Sequence, residues 1–183
     1  MVICLPKPYE ETLKSNYAFE GRLLKVKVDD VRLPNGKLTK RETVVHPGAV
    51  AIVAIDDGKV LLERQFRHAA GKVIWEIPAG TLEKGETPSK CASRELKEET
   101  GYAAISLEEV SHFYVAVGYS TEVITVFVAR GLTKDKASPE EDESIEAVMV
   151  PLKDALDMVR RNEIEDAKSI IGLLLVSSKP EEE

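Results

Sequence analysis

Gly80 to Tyr102 reads GTLEKGETPSKCASRELKEETGY. Thr87 suits a helix N-cap, Pro88 the first helical position and Gly101 the residue just past the end, which predicts a helix over residues 88–100. On that helix Glu95, Glu98 and Glu99 stand at i, i+3 and i+4, so they share one face beside Arg94. Carboxylates that close repel one another unless a cation sits among them. Hard divalent cations such as Mg2+ take oxygen ligands of this kind and commonly work on phosphates. Alone, an ELKEE run reads as a solvated helix face with surface ion pairs. The surrounding residues decide between the two.

Working outward, Val73–Ile77 is strand-like and runs into Pro78-Ala79-Gly80, where Gly80 is expected to let the chain turn tightly. Ala49–Ile55 is an almost unbroken apolar run, the pattern of a strand buried on both faces, and Asp56-Asp57-Gly58 turns it into a second strand, Lys59–Arg64. Gln65–Lys72 is polar and basic. Beyond the helix, strands are expected over residues 108–117 and 122–129, joined by Gly118-Tyr119-Ser120-Thr121. Residues 133–143 read as a charged loop, 144–150 as a strand, and 152–161 and 165–177 as helices.

Near the start, apolar and polar residues alternate from Gly21 to Leu33. Asn35-Gly36 then separates this run from Leu38–Val45, a strong hairpin signal. Residues 1–16 lack clear periodicity and are expected to form an irregular or helical lead-in. The order of elements is α+β with a mixed sheet. It divides into an N-terminal β-hairpin subdomain, residues 1–46, and a main domain, residues 47–183.

The chain has 183 residues, 43% of them hydrophobic, enough for one domain with a real core. A net charge of −7 argues against a nucleic-acid surface and gives an anionic substrate no long-range attraction, so local cations must supply it. No apolar run reaches the length of a membrane span. Cys4 and Cys91 make neither a disulfide framework nor a zinc site, which suggests a reducing, cytoplasmic setting. His46, His68 and His112 show no ligand spacing.

Gly80, five residues, Glu86, seven residues, then Arg94-Glu95-Leu96-Lys97-Glu98-Glu99-Thr100-Gly101-Tyr102 resembles a complete Nudix box. The resemblance of the flanking segments extends over roughly residues 20–150. It implies a Nudix-type α/β/α sandwich and hydrolysis of a nucleoside diphosphate linked to another group. It also implies Mg2+ (or Mn2+) held by the Ala79 carbonyl, Glu95, Glu98 and Glu99. By the same resemblance Glu86 and Arg94 pair to hold loop against helix.

Outside the box the chain is most similar to ADP-ribose pyrophosphatases, through Arg41-Glu42, His46-Pro47-Gly48-Ala49-Val50, Arg64-Gln65-Phe66-Arg67, Trp75-Glu76-Ile77-Pro78-Ala79-Gly80 and Gly118-Tyr119-Ser120-Thr121-Glu122. That likeness implies substrate contacts from Arg67 to the phosphates, and from Arg41, Glu42, Thr81, Glu83 and Gly118. It implies a catalytic glutamate in the late acidic loop, Glu141 or Glu143, with Glu143 as a further metal ligand. It also implies a homodimer through the N-terminal hairpin, with a small nucleotide-sugar substrate and neither nucleic acid nor membrane as partner. One position departs from the pattern: those enzymes typically carry a proline where this chain has Val117. Another nucleotide sugar, a dinucleotide, or a non-catalytic nucleotide-sensing module are the alternatives. Trp75 and Tyr119 are expected to be core aromatics and Cys91 a packing residue.

Overall fold

The computed structural model describes residues 9–135 and 144–178. Strands β1 (Glu11–Glu20), β2 (Lys25–Arg32), β3 (Leu38–Val45), β4 (Ala49–Asp56), β5 (Lys59–Arg67), β6 (Lys72–Glu76) and β7 (Ala79–Thr81) precede helix α1 (Pro88–Thr100). Strands β8 (Tyr102–Tyr114), β9 (Val123–Lys134) and β10 (Ile145–Pro151) follow, then helices α2 (Leu152–Arg160) and α3 (Ala167–Ser177). Contacts group the chain into two compact units, one running up to Pro47 and including Tyr114–Glu122, the other made of Gly48–Phe113 and the residues from Val123 onward.

In the first unit the expected β2–β3 hairpin forms around Gly36, whose φ of 82° is the left-handed conformation that its turn requires. The lead-in expected to be irregular or helical is a strand instead. β1 pairs antiparallel with β2 from Glu11 to Glu20, giving a three-stranded sheet in the order β1-β2-β3. Every residue of β1 is exposed, so no buried face imposes alternation on its sequence. Residues 114–122 return alongside β3, where the Val44 amide donates to the Tyr119 carbonyl at 2.7 Å and the Thr121 amide donates to the Val44 carbonyl at 3.0 Å. Tyr119, expected in the core, is 62% exposed.

The second unit is a seven-stranded mixed sheet with helices on both faces, its central path running β10-β5-β4-β9-β8. β6 pairs with β5 and β7 with β4, while β4 and β9 run parallel. β4 explains its own apolar run. Ala49, Ala51 and Val53 pack in one core with Ala155, Met158, Ile164 and Leu173, from α2, α3 and the link between them. Val50, Ile52 and Ala54 face the other way, onto Cys91, Ala92 and Leu96 of α1. A strand with period-two side chains and a helix on either side must be apolar at every position.

α3 lies hard against the sheet. A Cβ on Gly172 would stand 2.8 Å from Val53 Cγ2 and 2.9 Å from Ile77 Cδ1. The contact is possible only because residue 172 has no side chain. Gly172→Val should therefore destabilise the fold by roughly 1–3 kcal/mol through overpacking, read as a lower denaturant midpoint at unchanged slope.

Candidate functional site

α1 begins and ends where its capping residues dictate. Thr87 takes the extended N-cap conformation, although its side chain makes no capping hydrogen bond, and Gly101 closes the helix at φ 70° with its amide on the Lys97 carbonyl. The buried face of α1 runs Cys91, Ala92, Leu96 and then Glu99. A carboxylate thus ends an otherwise apolar stripe. Buried to 7% exposure, Glu99 accepts a hydrogen bond from the Ala79 amide of β7 at 3.1 Å.

Gly80 does not serve as a turn. It sits within β7, paired with Val50 of β4, and the Glu95 carboxylate occupies the space a side chain would need: a Cβ there would lie 1.9 Å from Glu95 Cδ. The glycine is a cradle for an acidic side chain.

Arg94 binds the site together. Its Nε and Nη2 donate to the two oxygens of Glu86 at 3.0 Å each, as the family resemblance implies. Its Nη1 faces Glu95 at 2.8 Å and Glu98 at 3.1 Å. Glu86 in turn accepts the Glu83 amide at 3.1 Å, fastening the loop from β7 to α1. The Arg94 hydrogen bonds hold the Glu86 carboxyl well below its ordinary 4.5, at about 2, against the opposing effect of burial. The same bonds raise the Arg94 guanidinium above its usual range. Burial, followed by the charges of Glu86 and Glu95, pushes the Cys91 thiol up to about 12, so Cys91 packs in neutral form.

Among the described residues no three His, Cys, Asp or Glu side chains stand already gathered around an ion position. Glu95 and Glu98 are shared with Arg94, and Glu99 reaches toward β7. The donor set is nevertheless all oxygen, and the bare Gly80 admits the Glu95 carboxylate against β7. Both features fit a hard divalent cation.

Arg67 ends β5 with a bidentate pair to Glu76, Nε to Oε1 at 2.7 Å and Nη2 to Oε2 at 2.9 Å. The pair to Glu76 holds the Arg67 guanidinium above its ordinary value, aided by the charge of Glu99. Burial alone would raise the Glu76 carboxyl, yet Arg67 and Lys168 together bring it below its usual range. A cavity of about 620 Å³ lies here, lined by Arg67, Lys72, Ile74, Glu76, Asp166 and Lys168 among others.

The second unit therefore carries Ala79, Thr81, Glu83, Glu95, Glu98, Glu99 and Arg67. The Thr81 carbonyl accepts Arg94 Nη2 at 3.4 Å, and the Glu83 side chain is exposed. Arg41, Glu42 and Gly118 belong to the first unit, where Arg41 makes a bidentate pair with Glu10 at 3.0 and 2.5 Å. Among the described residues, its own chain neighbours aside, nothing lies within 4 Å of where a Gly118 Cβ would be. Glu141 and Glu143 lie outside the described residues. Glu76, Asp166 and Lys168 were not singled out from the sequence. Asp-Ala-Lys-Ser at 166–169 has the composition of a helix start, but its partner Glu76 is 92 residues from Lys168 and leaves no local signal.

The chain belongs to the NUDIX family, whose domain model matches residues 45–171, and the nucleoside diphosphate sugar hydrolase N-terminal domain matches residues 10–44. It is similar to the ADP-ribose pyrophosphatase of Bacillus subtilis (strain 168), 44% identical over 173 residues that cover 93% of this chain and 94% of that one. It is also similar to the methanol dehydrogenase activator of Bacillus methanolicus, 44% identical over 167 residues and 90% of each chain. Among solved structures, that of an ADP compounds hydrolase superposes with a TM-score of 0.84 at 26% identity, over 93% of each chain.

Glu86 carries a pH prediction. Because its carboxyl is held down in the fold, its contribution to stability is complete above pH 4.5 and disappears as the pH falls through about 2. Glu86→Gln should cost roughly 1.5–3 kcal/mol at neutral pH. The gap between variant and parent, measured by denaturant unfolding, should close over that acid window.

Proposed function

We propose that this chain hydrolyses the pyrophosphate bond of a nucleoside diphosphate sugar, with ADP-ribose as substrate and AMP and ribose 5-phosphate as products. The observation that carries the reading is the acidic end of α1 seated on β7: Glu95 in the Gly80 cradle and Glu99 on the Ala79 amide. Full-length similarity to an ADP-ribose pyrophosphatase supports the substrate. Val117, 82% exposed where the resembling enzymes carry proline, favours a second reading in which the sugar is a different one.

Mg2+ (or Mn2+) would be held by the Ala79 carbonyl, Glu95, Glu98 and Glu99, with Glu143 added from the late loop. Bound there, the ion supplies neutralisation of pyrophosphate charge and acidification of a water. Arg67 binds the phosphates: Nε and Nη2 are spent on Glu76, and Nη1 of the 42%-exposed side chain points away from that pair. Thr81 and Glu83, on and just after β7, line the approach to the metal carboxylates. Glu141 or Glu143 takes the proton of the attacking water, which adds to one phosphorus while the bridging oxygen leaves with the other.

The N-terminal subdomain, residues 1–46, serves a homodimer contact, and residues 47–183 form the hydrolase domain. Leu13, Tyr17 and Phe19 on β1 are exposed large apolar side chains in the single chain, as an interface strand requires. By the family resemblance Arg41, Glu42 and Gly118 are substrate-binding residues, Arg41 and Glu42 through the hairpin that serves the nucleoside end. Low cysteine content supports a cytoplasmic setting.

Purified protein with Mg2+ should release AMP from ADP-ribose, and chelator or Glu99→Gln should lower the rate by about a hundredfold or more. Intact ADP-ribose beside a cleaved alternative nucleotide sugar would overturn the substrate and keep the chemistry. Tight binding with no product at any metal concentration would favour a sensing module. By sedimentation equilibrium the protein should run at twice the 20.2 kDa chain mass, and Tyr17→Glu with Phe19→Glu should halve that.

A further inference from the structure

The start of α3 holds a polar network that the reaction scheme leaves unused. Asp166 caps the helix, accepting the Ser169 amide at 3.0 Å and the Ser169 hydroxyl at 2.5 Å. The fully buried Ser169 oxygen in turn accepts the Ile77 amide at 2.8 Å, which fastens α3 to the chain just after β6. Lys168, its side chain 12% exposed, donates to Asp166 at 3.0 Å and also to Glu76. Glu76, its side chain 4% exposed, is the carboxylate that carries the Arg67 fork. One buried anion is thus shared by two cations from distant parts of the chain.

A carboxylate paired with a single guanidinium cancels most of its charge. With Lys168 taking part of Glu76, Arg67 keeps net positive charge, and a carboxylate clamped from α3 can face its partner in only one direction. The result matters for an anion. The Arg67 side chain is 42% exposed, and the charge of Glu99 on α1 acts on it. Arg67 therefore answers both to this network and to a carboxylate at the acidic end of α1.

We propose that Lys168 is a positioning residue for hydrolysis: by sharing Glu76 it orients Arg67 and leaves its outer edge and charge to the substrate pyrophosphate. This rests on the reading above that Arg67 binds the phosphates. Lys168 itself touches no substrate.

The test is a double-mutant cycle on the full chain with ADP-ribose and Mg2+. Lys168→Met should raise KM about tenfold with kcat within about threefold, but by less than about twofold in an Arg67→Gln background. Lys168→Arg, which can still share Glu76, should bring KM to within about threefold of the parent. An equal rise in both backgrounds, or a lowered unfolding midpoint with KM unchanged, overturns the positioning role and leaves the phosphate role of Arg67 standing. Arg67→Gln alone with unchanged KM overturns that phosphate role and the positioning role with it. Should the double variant not fold, Glu76→Gln supplies the background, since it cuts the link without leaving an unpaired buried charge. There Lys168→Met should change KM by less than about twofold, and a tenfold change overturns the proposal.

Discussion

Arg94 meets three carboxylates at once, and the arrangement of the loop and helix around it follows from that demand. Glu86 holds its Nε and Nη2 edge, while Glu95 and Glu98 take Nη1. Without a cation at this point, four acidic side chains over fourteen residues, 86–99, would repel one another and the loop after β7 would swing free of α1. A planar guanidinium can satisfy two directions with fixed geometry, which a lysine ammonium could not reproduce. The same cation leaves the carboxylates close to β7, where the divalent ion proposed above would be held.

The seat of α1 on the sheet is set mainly by packing. Cys91, Ala92 and Leu96 bury against one face of β4 while α2 and α3 cover the other, so the helix cannot shift without exposing core. Each fully buried aliphatic side chain contributes on the order of 1.5–3 kcal/mol, far more than a surface ion pair. Glu99 rides at the end of that apolar stripe. Hydrophobic burial thereby places a charged group in register with the Ala79 amide.

On the opposite side of Arg67 the logic is polar. The Arg67–Glu76–Lys168–Asp166 chain is largely buried, and such ion pairs give little net stability because desolvation offsets their attraction. Their value lies in orientation. A protein with net charge −7 offers an anionic substrate no general attraction, so the few cations near its site must be held in place and kept charged.

The local features were legible in the sequence. Pro88, Gly101 and the spacing of apolar residues define α1, Asn35-Gly36 defines the hairpin, and the unbroken run at 49–55 announces a strand covered on both faces, because each depends on interactions within a few residues or on a period. Glu86, Arg94, Glu95, Glu98 and Glu99 could be named as a set for the same reason: one loop and one helix carry them all. β1 was missed because an exposed strand imposes no pattern on its residues, and Gly80 was misread because only the fold shows Glu95 lying where its side chain would be. The link from Arg67 through Glu76 to Lys168 likewise belongs to tertiary structure. The sequence determined the helix and the acids it carries, and its resemblance to a family implied the bond that is hydrolysed. Bringing Lys168 onto a buried carboxylate 92 positions away took the folded sheet, since the strength of that contact depends on burial and distance that no local spacing encodes.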